Sequence, residues 1–229
     1  MVVIVGGTSG IGLATANYLM EQGYNVLVCG RTKPKQDNIH FQALDVTSNE
    51  SIKEFFSSLE TIDGLIYSVG ITMPKQEITA FNPIKFHEIM DVNVTGLLLC
   101  LKYSYENLKK NRGRVVVVNS VASRKGSALS GIEYTTSKAA LSGVVKQLAL
   151  DFAKDEVLIN SIFPSMTATP MLLESIDSTE LQGIKNSIPL QRIAEPLEIA
   201  KAIEFLISER NSYMTGAGLD VNGGLFLNG

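Results

Sequence analysis

Tryptophan is absent from the 229 residues, and histidine and cysteine occur twice each. Cys29 and Cys100 lie in apolar stretches without metal-ligand spacing, which excludes a disulfide scaffold and reads as two buried free thiols in a reducing compartment. His40, at the start of an apolar run, and His87, beside Glu88 in a helical pattern, stand apart; both read as surface or structural residues, and no cluster has the spacing of a metal site. A basic excess is lacking as well. The formal net charge of -3 argues against nucleic acid as a partner, because a phosphate-binding surface shows itself as a basic stripe. No apolar run reaches the roughly 18 residues that a membrane span needs, and no leader precedes the first apolar run, so the expectation is a cytoplasmic protein off the membrane. Linkers, repeats and low-complexity segments are missing too. With 45% apolar residues the chain can bury a sizeable core, and a single domain over 1–229 is expected.

What is present is an alternation. Val2-Val3-Ile4-Val5 is a continuous apolar run of the kind that suits a strand buried on both faces. Glycines follow, then helical spacing from Ile11 to Gln22. Further strands are expected at Asn25–Cys29, Ile39–Leu44, Leu65–Tyr67, Arg114–Asn119, Leu158–Phe163 and Gly218–Val221. Helices are expected at Ser48–Leu59, Pro83–Lys109, Tyr134–Lys154 and Pro196–Ser208. Strands that alternate with helices pair in parallel, because a parallel pair needs a crossover. The fold class is therefore α/β, a doubly wound parallel sheet of about seven strands with helices on both faces, that is, a Rossmann fold. Its ligand is expected outside the carboxyl ends of the strands. One crossover, containing Pro34, is too short for a helix and is expected to be a loop or a single turn.

The first turn reads Val5-Gly6-Gly7-Thr8-Ser9-Gly10-Ile11-Gly12. Between a buried strand and a helix, such glycines let the backbone approach a pyrophosphate, while the helix start directs N–H groups at the anion. This points to dinucleotide binding. At Cys29-Gly30-Arg31-Thr32 no acid is present to hold the ribose hydroxyls of NAD, and Arg31, followed by Lys33 and Lys35, suits the 2′-phosphate of NADP. NADP(H) is preferred on this ground, although a Gly-Arg pair does not exclude NAD(H).

Tyr134-Thr135-Thr136-Ser137-Lys138 opens a long helical pattern, which places Tyr134 and Lys138 on one face. A phenol with an ordinary pKa near 10 is a poor base at neutral pH, and a nearby ammonium favours the phenolate. Tyr-x3-Lys by itself is common. Here it joins the glycine turn, Asn93 in Asp91-Val92-Asn93-Val94-Thr95-Gly96, and Ser120 at the end of the apolar run Val115–Asn119.

This ordered set resembles the short-chain dehydrogenase/reductase family, in its short single-domain branch and similar to 3-oxoacyl-carrier-protein reductases. The resemblance extends over nearly the whole chain through Leu44-Asp45-Val46, Gly113-Arg114-Val115-Val116, Arg192-Ile193-Ala194-Glu195-Pro196 and the ending Thr215–Gly224. It implies that Tyr134 gives a proton to the substrate oxygen, that Ser120 hydrogen-bonds that oxygen, and that Lys138 binds the nicotinamide ribose and lowers the tyrosine pKa. It implies that Asn93 holds a water on a proton relay. For the cofactor it implies contacts from Gly6, Thr8, Ser9, Gly10, Ile11, Gly12, Arg31, Asp45, Val46, Gly70, Tyr134, Lys138 and Thr169, with Asp45 accepting from the adenine amino group and Thr169 meeting the nicotinamide carboxamide. A homodimer or homotetramer is implied as well.

There are departures from the family pattern. Asn-Asn-Ala-Gly is here Tyr67-Ser68-Val69-Gly70, so the asparagine that braces the sheet is missing and Ser68 is its expected, shorter substitute. Pro-Gly becomes Pro164-Ser165, and the usual threonine before Gly6 is Val5. Fourteen positions separate Ser120 from Tyr134, one more than is commonest in the family.

The function expected is NADP(H)-linked interconversion of a ketone (3-oxo) group and a secondary alcohol. The alternatives are an NAD(H)-dependent alcohol dehydrogenase of the same family and a regulatory protein that binds the nucleotide without turnover; the presence of both Tyr134 and Lys138 speaks against the latter. A small-molecule substrate is expected to lie against a region at about 164–189, with Met166, Met171, Leu172 and Leu173, and against Ile71–Lys75 and Ser123–Leu129. Arg124 and Lys125 read as a solvated loop, with attraction of an anionic substrate as the alternative.

Because Arg31 is the one well-placed phosphate ligand, NADP(H) is expected to bind more tightly than NAD(H), and Arg31→Asp to erase or reverse that preference. Fluorescence titration with both cofactors checks it. Equal affinities in the unmodified protein contradict it.

Overall fold

The computed structural model describes residues 1–174 and 176–228. Seven strands, β1 (Val2–Val5), β2 (Val26–Gly30), β3 (Phe41–Ala43), β4 (Gly64–Tyr67), β5 (Arg114–Val118), β6 (Leu158–Pro164) and β7 (Gly218–Val221), form one sheet in the order β3-β2-β1-β4-β5-β6-β7. Every pairing is parallel. The doubly wound Rossmann sheet expected from the alternation is the one observed.

Continuous apolar strands work here because successive side chains point to opposite faces and both faces are covered. Val3 and Val5 face one core, packed by α2 (Asn49–Ser57), α4 (Gly96–Lys110) and α6 (Ile132–Phe152) through Phe55, Leu97 and Leu141. Val2 and Ile4 face the other, packed by α1 (Gly10–Glu21) and α9 (Pro196–Ile207) through Leu19 and Ile203. Cys29 and Cys100 are buried free thiols. His40 and His87 are exposed. No helix of the described residues is long and apolar enough to cross a membrane.

The boundaries shift where local chemistry decides them. Ser48 caps α2, its hydroxyl accepting the Ser51 N–H at 3.2 Å, so the helix starts one residue later than its apolar pattern suggests. Gly131 takes an extended N-cap, and α6 therefore begins at Ile132, one half-turn before Tyr134. The strand expected at 39–44 shortens to β3, with Ile39 and Leu44 buried beyond its ends. Residues 31–40 contain no helix, as the length of that crossover implies. The largest departure is in 83–109. The expected single helix is α3 (Pro83–Met90) and α4, joined by a π-turn at Asp91–Thr95. Apolar periodicity over so short a stretch does not resolve the extra residue of a single wide turn.

Three short helices carry no long apolar stripe and escape the pattern: α5 (Ala122–Lys125), α7 (Pro170–Leu173) and α8 (Ser178–Ser187). The last is set by a capping box between Asp177 and Glu180. Ser175, within the expected substrate region, lies outside the described residues.

Candidate active site

Connections leave β1 toward β2 on one side and return to β4 on the other, so the sheet reverses its winding between them. A cleft of about 2140 Å³ opens there, above the carboxyl ends of the strands. Gly6, Thr8, Ser9, Gly10 and Ile11 line it, together with Arg31, Asp45, Val46, Gly70, Ser120, Tyr134, Lys138 and Thr169. The two remaining site candidates, Gly12 and Asn93, lie behind its wall.

The glycine turn is built by close backbone contact. Gly6 has φ +82°, and a Cβ there would stand 2.9 Å from the Ser68 carbonyl carbon and the Val69 nitrogen. A Cβ on Gly12 would run into the Gly6 carbonyl oxygen. The turn therefore stays narrow, and α1 starts directly beneath the cleft. Thr169 stands at the N-terminal boundary of α7, and its methyl group lies 3.2 Å from where a Cβ on Gly10 would be. Thr8 packs beside Gly30, at the exposed Arg31. Asp45 Oδ1 accepts from the Thr47 N–H at 2.9 Å and its hydroxyl at 2.8 Å. These bonds, aided by Arg31, hold its carboxyl below the usual range.

Tyr134 and Ser120 come from different elements, α6 and the segment after β5, and their hydroxyls are hydrogen-bonded. Ser120 Oγ also accepts the Ala122 N–H at 3.1 Å, which directs the hydroxyl. Lys138 is 3% exposed; its Nζ donates to the Val118 carbonyl at 3.0 Å and stands 5.7 Å from the centre of the Tyr134 ring. Burial lowers the ammonium from 10.5 to about 8. Burial also pushes the Tyr134 phenol above its ordinary value, and the bond with Ser120 pulls the other way. Desolvation dominates at the phenol, and the lowering expected from Lys138 is not among the causes that act on it.

Asn93, fully buried in the π-turn, spends its side chain on structure. Oδ1 accepts the Ile71 N–H at 2.8 Å, while Nδ2 donates to the Ile71 carbonyl at 3.0 Å and to Ser137 Oγ at 2.9 Å. Ser137 passes the contact on, donating to the Tyr134 carbonyl at 2.8 Å.

Sequence reasoning missed Asn119. It is 3% exposed, accepts the Ser120 N–H at 2.9 Å and donates to Ser142 Oγ at 3.1 Å, tying the serine to α6. Its place beside Ser120 at a strand end was the available signal. Ser68 does not act as the expected brace, since only its backbone N–H bonds, to the Val5 carbonyl at 2.8 Å, and its hydroxyl makes no hydrogen bond among the described residues. The Tyr67 hydroxyl instead reaches the Val92 carbonyl at 2.6 Å. Arg124 is neither solvated nor free for a substrate: it stacks on Phe163 at 3.8 Å and faces Asp220 at 3.6 Å. Lys125 does line the cleft, with its Nζ 3.4 Å from the Leu225 carbonyl.

A family model described as enoyl-(acyl carrier protein) reductase matches residues 5–226. The chain belongs to the short-chain dehydrogenase/reductase family. It is an NAD(P)-dependent oxidoreductase of that family. A 3-oxoacyl-[acyl-carrier-protein] reductase of Aquifex aeolicus is 34% identical over 98% of this chain and 96% of its own. An acetoacetyl-CoA reductase of an Acinetobacter species is 28% identical over 98% and 97%. Among solved structures, ElxO with NADP bound superposes with a TM-score of 0.89 at 30% identity, covering 98% of this chain and 97% of that one.

The buried lysine has a measurable signature. Its native pKa lies below the unfolded value, so the native state binds fewer protons between about pH 8 and 10.5, and stability rises with pH across that window. Below it, the buried ammonium costs stability. Lys138→Met is expected to stabilise the protein at pH 7 by about 1–3 kcal/mol, net of the lost bond to Val118. The gain should fade as pH rises from about 8 towards 10.5. Urea unfolding at several pH values checks this, and a gain that grew with pH would contradict it.

Proposed function

We propose that this oxidoreductase reduces a ketone, of the 3-oxo type, to a secondary alcohol with NADP(H), acting as one domain. The observation that carries the reading is the convergence of Tyr134, Ser120 and Lys138 on the cleft that also holds the glycine turn and Arg31. The cofactor fits this chain: close backbone packing at Gly6 and Gly12 keeps the turn narrow, so the start of α1 faces the cleft where a diphosphate would lie. Gly6, Thr8, Ser9, Gly10, Ile11 and Gly12 would hold the diphosphate, Arg31 the 2′-phosphate, and Asp45 and Val46 the adenine. Thr169, Gly70 and Lys138 would hold the nicotinamide half. The relatives named as reductases of 3-oxoacyl and acetoacetyl thioesters, and the NADP in the ElxO structure, support the same choice.

When bound, the reduced nicotinamide supplies a hydride to the carbonyl carbon. The chain's own residues supply the proton and the geometry. Tyr134 donates its phenolic proton to the substrate oxygen, and Ser120 holds that oxygen in line. The ammonium of Lys138 stabilises the phenolate left behind, and Asn93, its side chain spent on Ile71 and Ser137, holds the segment beside it. The apolar wall from Met73, Leu129, Met166, Met171, Leu172 and Ile184 suits a substrate with a hydrocarbon portion. Tyr134→Phe keeps the ring and removes the proton, so turnover should fall by about 10²–10⁴-fold while NADPH still binds. Following NADPH oxidation with a panel of ketones and 3-oxoacyl thioesters tests the reading, and near-normal turnover in Tyr134→Phe refutes the mechanism.

The working unit we propose is a homodimer or homotetramer. α4 and α6 are apolar on more than the side that meets the sheet: Leu98 is 42% and Leu150 76% exposed, with Ala139 and Gly143 also outward. Small outward residues let a second helix approach closely, and most homo-oligomers close by two-fold symmetry. Sedimentation at micromolar concentration decides: a single species near 24.8 kDa contradicts assembly.

A further inference from the structure

We propose that Tyr67 is a positioning residue for the active site, its hydroxyl locking the Asp91–Thr95 π-turn against the end of β4 so that Asn93 and Lys138 stay in register. The inference rests on the site reading above and goes beyond it, because Tyr67 does not itself line the cleft.

Three observations converge. First, Tyr67 is 0% exposed, yet it is a phenol among aliphatic and thiol side chains, where a phenylalanine would fill the same space. Among the described residues the hydroxyl has one partner, the Val92 carbonyl, at 2.6 Å. The phenol is fully buried, so breaking this bond leaves its hydroxyl with no water to turn to, which is costly. Second, room for that oxygen is made at Gly96, the first residue of α4. A Cβ there would lie 2.6 Å from the Tyr67 oxygen and 3.0 Å from Val46 Cβ. Hydroxyl and glycine are complementary halves of one contact. Third, the bond closes a loop. From Tyr67 the chain runs four residues to Ile71, whose N–H and carbonyl are both held by the Asn93 side chain. Asn93 directly follows Val92.

Segment 67–71 and the π-turn are thus pinned at two points, one from each side. A π-turn is a local widening that an α-helix does not adopt unaided, so something must hold it. Asn93 then reaches Ser137, the neighbour of Lys138. Lys138 Nζ stands 3.2 Å from where a Cβ on Gly70 would be, and Asn93 Oδ1 stands 3.8 Å from the same point. Releasing Val92 would let the turn relax, and Asn93 and the ammonium would move with it.

The test compares the full-length protein with Tyr67→Phe, Gly96→Ala and, as a control buried hydroxyl on α4 remote from this loop, Ser104→Ala. Amide hydrogen exchange of Ile71, read by NMR with no substrate present, should be about tenfold faster in the first two variants and unchanged in the control. With the carbonyl that the parent reduces best, kcat of Tyr67→Phe should fall about tenfold or more, while KM and the NADPH dissociation constant stay within about twofold. A lower melting temperature alone, with Ile71 exchange and kcat like the parent's, overturns the proposal and leaves Tyr67 as core packing. If the parent reduces no carbonyl, the proposed activity fails, and Ile71 exchange still decides the brace.

Discussion

At the end of β1 backbone packs directly on backbone. Gly6 sits against Ser68 and Val69, Gly12 under the Gly6 carbonyl, and neither position has room for a side chain. This crowding occurs where the winding of the sheet reverses, so the strand ends on either side diverge above it and leave the cleft. The start of α1 comes close enough to a bound anion to act on it only because the turn is this tight. The proposed site residues are then placed relative to that point: β4 and its extension carry Gly70, β5 delivers Ser120, and α6 crosses behind to present Tyr134 and Lys138.

The chemistry depends on desolvation held in check by hydrogen bonds. Burial raises the phenol of Tyr134 and lowers the ammonium of Lys138, so each tends towards its neutral form. Protein atoms oppose this through Ser120 at the phenol and the Val118 carbonyl at the ammonium. An ammonium brought down to about 8 and kept in contact with a carbonyl responds strongly to charges placed beside it. Lys138 therefore costs the folded state stability at neutral pH, a cost that packing must offset and that a purely structural helix would not carry. Around these groups a shell of side chains, Asn93, Ser137, Asn119 and Ser142, links three separate elements, and Asn119 alone of the four lines the cleft.

Much of this was legible in the chain alone. Val2–Val5 and Arg114–Val118 read as strands buried on both faces because nothing else explains uninterrupted β-branched runs of that length, and the alternation with helices set the parallel topology. Gly6, Gly10, Gly12, Arg31, Tyr134 and Lys138 could be named as candidates from residue type and spacing, and Ser120 from the family resemblance. Those constraints are local, within one turn or one helix face, and they survive in a linear text.

What the fold alone decided involves residues far apart in the chain, where a substitution at one place is answered at another. The asparagine missing near Ser68 looked like a loss that Ser68 would partly cover, yet the donor is Tyr67 and the acceptor lies 25 residues on. Arg124 read as part of a solvated loop until Phe163 and Asp220 were brought against it from β6 and β7. The π-turn that presents Asn93 was read as plain helix, since apolar periodicity reports which side is buried and not how many residues complete a turn. Spacing along the chain determined which groups are present; the direction each one faces, and the partner that holds it there, came from close packing of segments whose neighbours the chain order does not specify.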